Sequence, residues 1–369
     1  MKKLIIFLAC MTLLLSLPVN TYCLEISAHS AILYEPVTQK VIYEKNSSSK
    51  MALASTTKIV TAITALEKGN LDDIVITSKY AADIEGSSIW LEEGESQTME
   101  NLLYGLMLSS GNDAAVAIAE HISGNTNDYA KLMNQTAKLA GAYNSNFTNP
   151  SGLFEENHYT TAYDLAKITA YAYKNEMFRK IVATKQHKIP WVGHQWDRTL
   201  KNHNKLLNIY DGCIGVKTGF TKKSGRCLVS SAERNGIQLI AVTLNAPDDW
   251  NDHIKMLDFG FELLNNIKVL CKNESEINVT VLNGVKESVK CSIKEDIYVP
   301  LSEDNGTSIK YYFSNDISAP ICKNDIVGYA EILLDNNVIK KVDLYALEDC
   351  PKEYIPTFFD YFIKLYKSI

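Results

Sequence analysis

The sequence predicts a mixed α/β domain, then a small all-β sandwich, then a C-terminal amphipathic helix. Three observations carry this reading. Apolar helical runs at 59–66, 101–108 and 114–122 stand between strand-like segments at 31–34, 40–44 and 239–244. After residue 277, short alternating strands follow one another without intervening helices, which is a sandwich pattern. From Pro356 the spacing becomes helical again. The corresponding divisions are 1–23, 24–266, 267–350 and 351–369.

A chain of 369 residues is long enough for two or three domains and one sizeable core. With 46% hydrophobic and 22% charged residues, the composition is that of a globular protein and not of an extended disordered one. A net charge of −6 argues against a nucleic-acid binder, which would carry a basic surface. Met1, Lys2 and Lys3 precede an apolar run from Leu4 to Leu17, and Pro18 to Cys23 offers cleavage after Thr21 or Cys23. That run is too short to cross a bilayer comfortably, so 1–23 reads as a secretory signal peptide and the mature protein as extracytoplasmic. Tyr22 is too bulky beside Cys23 for a lipoprotein signal.

Cys213, Cys227, Cys271, Cys291, Cys322 and Cys350 are widely spaced and contain no Cys-x-x-Cys pair. They give neither a legible disulfide framework nor a zinc signature. Cys213 and Cys227 flank a predicted hairpin and could lie close together; the plainer reading of most of the six is small buried apolar residues.

In chain order, 31–34 and 40–44 are two strands around a turn at Pro36. They lead to Ser55, Thr56, Thr57 and Lys58 and then to the buried helix from Ile59 to Leu66. A Ser and a Lys three positions apart share one helix face, so the amine can reach the hydroxyl. The helix N-terminus adds free N–H groups and a positive end beside the same oxygen. The pattern alone is weak, because a cap followed by a surface lysine has the same spacing and Ser47–Lys50 repeats it in a polar loop.

A second helical region opens at 97–100 and is interrupted after Leu108 by Ser109, Ser110, Gly111, Asn112 and Asp113 before the apolar run resumes. A polar break between buried helices needs partners or a ligand, which makes Ser110 and Asn112 candidates for the wall of a site. The repeat at Ser123–Asn125 follows a helix and reads as a helix stop. Residues 149–153 form a turn, and 160–164 start the next helix with a Thr cap. His187, His194 and His203 match no zinc spacing and read as loop residues, with no metal expected.

Lys217, Thr218, Gly219, Phe220 and Thr221 lie between two strand-like runs. Gly219 lets a substrate backbone approach, while Lys217 and Thr218 supply a cation and a hydroxyl for a carboxylate. An exposed basic hairpin tip is the alternative. A helix from Trp250 to Asn265 closes this unit. The β-rich segment has hairpins around Asn283-Gly284 and 335–337, contains no cluster of catalytic residue types, and reads as a spacer or interaction module. In the tail, Phe358, Phe362, Leu365 and Ile369 share one helical face. This helix suits a membrane surface, and docking on the β domain is the alternative.

Ser55–Lys58, Ser110–Asn112 and Lys217–Gly219, in that order, resemble the three-motif signature of the penicillin-recognising serine enzymes. The segments 86–91, 102–106, 110–114, 149–153 and 217–221 narrow the resemblance to low-molecular-mass penicillin-binding proteins, the serine-type D-alanyl-D-alanine carboxypeptidases. Residues 318–321 and 326–329 resemble that family's C-terminal domain, and its members carry an amphipathic tail as well.

The resemblance implies an α/β transpeptidase/β-lactamase-like domain with an antiparallel sheet and a helical subdomain. It implies removal of the terminal D-Ala from peptidoglycan stem pentapeptides, inhibition by β-lactams and no cofactor. Ser55 would be the nucleophile, Lys58 its base and Ser110 a proton relay. Asn112, Lys217, Thr218, Gly219 and Phe220 would bind substrate, with the N–H groups of Ser55 and Phe220 forming the oxyanion hole. Ser151 replaces a frequent His of the family, and His203 stands near a position where some members carry Arg. A class A β-lactamase is disfavoured because Glu155 and Glu156 do not sit in a Glu-x-x-Leu-Asn pattern. An endopeptidase for peptide cross-links and a non-catalytic peptidoglycan-binding scaffold remain as alternatives.

Overall fold

The computed structural model describes residues 24–272, 275–303, 306–313, 317–354 and 363. The signal peptide expected over 1–23 lies outside the described residues, as does the tail helix expected over 351–369, apart from 351–354 and Ile363.

Strict alternation along two central strands organises the first domain. The sheet is formed by β1 (Ser30–Glu35), β2 (Lys40–Lys45), β3 (Cys213–Thr221), β4 (Gly225–Arg234) and β5 (Ile237–Leu244). Their order is β2-β1-β5-β4-β3, all antiparallel. On β1, Ile32 and Tyr34 point into one core while Ala31 and Leu33 point into the other. On β5, Ile240 and Val242 face the first core and Leu239 and Ala241 the second. Period-two alternation thus gives one sheet two buried faces. This is the expected sheet, and β3 is its edge.

The first core is the helical layer: α1 (Lys58–Lys68), α2 (Met99–Leu108), α3 (Asn112–Ser123), α4 (Thr126–Leu139), α5 (Ala162–Ala172) and α6 (Glu176–Ala183). Thr98 and Thr161 cap α2 and α5 by accepting the N–H groups of Asn101 and Asp164. Gly124, at φ 78°, stops α3, as expected of the Ser123–Asn125 turn. The second core is covered by α7 (Asp249–Leu263), which packs Met256 and Leu257 on the sheet. The helix expected to reach Asn265 ends earlier, because Leu264 turns extended and leads into a strand.

That strand, β6 (Asn265–Leu270), pairs with Ile297–Leu301 in the second, all-β domain. A five-stranded antiparallel sheet of Ile277–Thr280, Ser288–Ser292, Asn337–Ala346, Ile326–Leu334 and Thr307–Phe313 shares one core with this pair. Of the two readings of Cys213 and Cys227, register rules out their close approach. Cys213 lies opposite Ala232 and Cys227 opposite Gly219, at different ends of the hairpin, and both thiols are free.

Buried Asp113 joins the helical layer to the loop before it. Its carboxylate accepts the Ile89 N–H at 3.0 Å, the Leu91 N–H at 3.0 Å and the Ser88 hydroxyl at 2.6 Å. Asp113→Ala leaves three donors unpaired, so we expect a loss of about 2–4 kcal/mol in chemical denaturation. Unchanged stability would refute this role.

Candidate active site

Ser55 lies in a single 3-10 turn, Ala54–Thr57, directly before α1. Three pieces of chain hold that turn. Gly219 on the edge strand is so close that a Cβ there would stand 3.0 Å from the backbone N of Ser55. Gly152, at φ 83°, packs so tightly that a Cβ would lie 2.0 Å from the Ala54 carbonyl oxygen. His158 reaches across at 2.8 Å to the Thr57 hydroxyl. Its Nδ1 accepts the Thr148 N–H at 3.0 Å, so Nε2 carries the hydrogen and donates to Thr57. Burial pushes this imidazole down to about 4, which keeps it neutral near pH 7.

Lys58 is fully buried at the start of α1. Its Nζ lies 3.0 Å from Ser55 Oγ, 2.7 Å from Asn112 Oδ1 and 2.6 Å from the Ser151 carbonyl oxygen. The Asn112 amide orientation is fixed by Nδ2 donating to the Glu85 carbonyl at 2.6 Å. Asn112 Oδ1 and the Ser151 carbonyl can only accept. A neutral amine has two N–H donors and one lone pair. Both donors are therefore taken, and the lone pair is left for the Ser55 hydroxyl. Burial, reinforced by the charge of Lys217 and opposed by Asp113, holds the Lys58 amine well below the usual lysine range. The geometry admits the neutral amine, and the electrostatics favour it.

Lys217 is also buried, on β3, and donates to the Thr218 carbonyl at 3.2 Å. Burial lowers it to about 7. Ser110 sits between α2 and α3 with φ 63°, and its buried Oγ has no partner among the described residues. Ser55, Ser110, Thr218, Gly219 and Phe220 face a cleft of about 370 Å³. Asn112, Lys58 and Lys217 are buried. All eight residues singled out in the three motifs thus gather around one turn and one cleft.

The cleft contains residues that the motifs did not indicate. Ser87, Lys205, Arg226, Asp249 and Trp250 also line it, with Arg226 bonding Asp249 through Nε at 3.0 Å and Nη2 at 2.8 Å. His203 joins the lining, and burial followed by the charge of Lys217 lowers its pKa. The carbonyls of Ser151 and Glu85 were invisible to motif reading because backbone acceptors have no sequence signature. His158 lies in a histidine-poor loop, and only the fold brings it to Thr57. Among the described residues no group of three or more His, Cys, Asp or Glu could hold a metal ion.

A serine hydroxyl beside a buried lysine amine, with a second buried lysine on an edge strand of a helix-and-sheet domain, fits the class of penicillin-recognising serine enzymes. Residues 18–248 match the family described as D-alanyl-D-alanine carboxypeptidase, and residues 265–352 match the penicillin-binding protein 5 C-terminal domain. The chain belongs to the D-alanyl-D-alanine carboxypeptidase family. It is 37% identical to the D-alanyl-D-alanine carboxypeptidase DacF of Bacillus subtilis, covering 90% of this chain and 88% of the relative. The structure resembles penicillin-binding protein 5 of Haemophilus influenzae with a TM-score of 0.66 at 28% identity, covering 89% of this chain and 98% of that one. A Streptomyces DD-transpeptidase superposes with a TM-score of 0.62 at 34% identity, covering 65% of this chain and 98% of that one.

Gly152→Ala tests the packing of the nucleophile turn. The added methyl meets backbone at a positive φ, so we expect a loss of about 2–4 kcal/mol and slower penicillin labelling. Melting curves and labelling rates like those of wild type would contradict the stated packing.

Proposed function

We propose that this protein removes the terminal D-alanine from peptidoglycan stem pentapeptides through an acyl-enzyme on Ser55. The observation that carries the reading is the buried Lys58 amine, with two acceptors for its two N–H groups and Ser55 Oγ 3.0 Å from the remaining position. Lys58 takes the Ser55 proton as Oγ attacks the penultimate D-Ala carbonyl. The Ser55 and Phe220 N–H groups stabilise the oxyanion, an interaction commonly worth about 3–4 kcal/mol per donor. Ser110, whose buried hydroxyl is unpartnered, passes a proton to the leaving amine. Asn112 binds the substrate backbone and orients Lys58. Lys217 and Thr218 hold the terminal carboxylate, with Gly219 and Phe220 supplying the strand along which the peptide lies. Water then hydrolyses the ester, and β-lactams acylate the same serine.

The family assignment and the assembled nucleophile–amine pair weigh against a non-catalytic scaffold. The proposed division assigns 24–266 to catalysis and 267–350 to a spacer or interaction domain. The segment 1–23 would direct export, and 351–369 would attach the enzyme to the outer face of the cytoplasmic membrane. No helix among the described residues is long and apolar enough to cross a membrane.

The decisive comparison is D-alanine release from a pentapeptide by wild type and by Ser55→Ala. Release should fall by at least about a thousandfold in the variant. Equal release would exclude Ser55 as nucleophile. Because Lys217 must be charged to hold a carboxylate and its pKa is about 7, kcat/KM should decline as pH rises through that value. Lys217→Arg should move the decline upward, and an unmoved limb would assign it to another group. Deleting Pro356–Ile369 should release the protein from membranes; retention would remove the anchor from the account.

A further inference from the structure

The catalytic cleft does not end at Ser110. A second groove of about 410 Å³ adjoins it, and the two share Ser87 and His203 in their walls. Ser110 lines the cleft, while its chain neighbour Ser109 lines the groove. The remaining walls include Leu200, which is buried, Lys201, which is exposed, and Trp90.

Trp90 is held in an unusual way. The residue is 72% exposed, yet its backbone is left-handed at φ 63°. Such a backbone is unfavourable for a bulky residue, so the surrounding structure must impose it. The Trp90 N–H donates to Ser88 Oγ at 2.7 Å, and its carbonyl accepts from Arg198 Nη2 at 2.8 Å. Arg198 is itself fixed by a buried two-pronged pair with Glu95, at 2.8 and 3.0 Å. A buried ion pair therefore fixes the backbone of an exposed indole at the mouth of the groove.

The proposed mechanism puts this groove on the leaving-group side. In the proposed mechanism Ser110 delivers the proton to the departing amine, and Ser109 begins the groove directly behind it. His203, shared by both compartments, lies close enough to Lys217 to feel its charge. A departing D-alanine carries only a methyl group as its side chain, which leaves a space of this size unfilled. An indole wall offers apolar contact to a methylene chain, and the Lys201 ammonium offers a counter-charge at its end.

We propose that this groove is a binding site for the side chain of the leaving residue. The enzyme then also hydrolyses D-Ala–D-Xaa bonds in which Xaa has an extended side chain ending in a carboxylate. The inference rests on the carboxypeptidase reading and uses the same chemistry. The Ser55 Oγ–carbonyl bond forms, the carbonyl C–N bond to D-Xaa breaks, and the serine proton leaves with the free amine. Water then adds to the ester carbonyl, giving the shortened peptide acid and regenerating the Ser55 hydroxyl. The backbone carboxylate of D-Xaa keeps its place at Lys217 and Thr218; only the group on its Cα changes.

The test uses the full-length protein and blocked L-Lys-D-Ala-D-Xaa tripeptides with D-Ala, D-Glu or D-Lys at the end. Wild type should release D-Glu with kcat/KM within about tenfold of D-Ala, and faster than D-Lys. Trp90→Ala should lower D-Glu release about tenfold while leaving D-Ala release within about twofold. Lys201→Glu should reverse the order of D-Glu and D-Lys, a charge-specific change that a folding defect would not produce. Release of D-Ala without D-Glu by wild type would overturn the groove assignment alone, as would an equal loss of both activities in Trp90→Ala. Absence of D-Ala release would overturn the carboxypeptidase reading and this inference with it.

Discussion

The arrangement around Ser55 depends on a lysine amine held out of water between two groups that can only accept hydrogen bonds. A charged ammonium at the Lys58 position is disfavoured by burial and by the second buried lysine, an effect that Asp113 offsets only in part. Loss of one proton removes that cost and turns the nitrogen into an acceptor for the serine. The Asn112 Oδ1 and Ser151 carbonyl partners matter because neither can supply a hydrogen and restore the other orientation. The strained and glycine-dependent positions nearby follow from this requirement. Gly152 lets the turn carrying the Ser151 carbonyl press against the Ala54 backbone, and the Glu85 carbonyl fixes the Asn112 amide.

The sheet and the helical layer supply these groups from distant parts of the chain. The edge strand β3 is free on one side and packs there against the nucleophile turn. An interior strand would have its backbone groups paired on both sides and could not accept a substrate strand. The helical layer contributes Lys58 at the first residue of α1 and Asn112 at the first residue of α3, two helix starts that converge on one point. Helix starts are where backbone N–H groups remain unpaired, which suits chemistry that develops negative charge.

Much of this was legible in the sequence for a physical reason. Ser55 and Lys58 are neighbours on one turn, Ser110 and Asn112 interrupt an apolar pair of helices, and Lys217 to Gly219 follow a strand-like run; the structure carries β3 on to Thr221, so they lie in the strand and not in the expected turn. Each is a local pattern. The unreadable parts were long-range. Nothing in the spacing of Arg226 and Asp249 shows that they meet, and the distance between Cys213 and Cys227 stayed open because flanking a hairpin does not specify register. Backbone carbonyls at Glu85 and Ser151, and the His158–Thr57 contact, are set by loop packing. The start of β6 was misread as helix because Leu264 and Asn265 fit a helical pattern as well as a strand.

The most direct measurement is an NMR titration of the Lys58 side chain in the full-length protein, with selectively labelled lysine and Lys58→Arg for assignment. A group whose folded-state pKa is lowered is neutral at pH values where an ordinary lysine remains charged. The account predicts a Lys58 nitrogen that is already deprotonated well below the ordinary lysine pKa and that titrates separately from the surface lysines. A Lys58 signal that stays protonated until the surface lysines titrate would contradict it, because the amine could not then accept the serine proton.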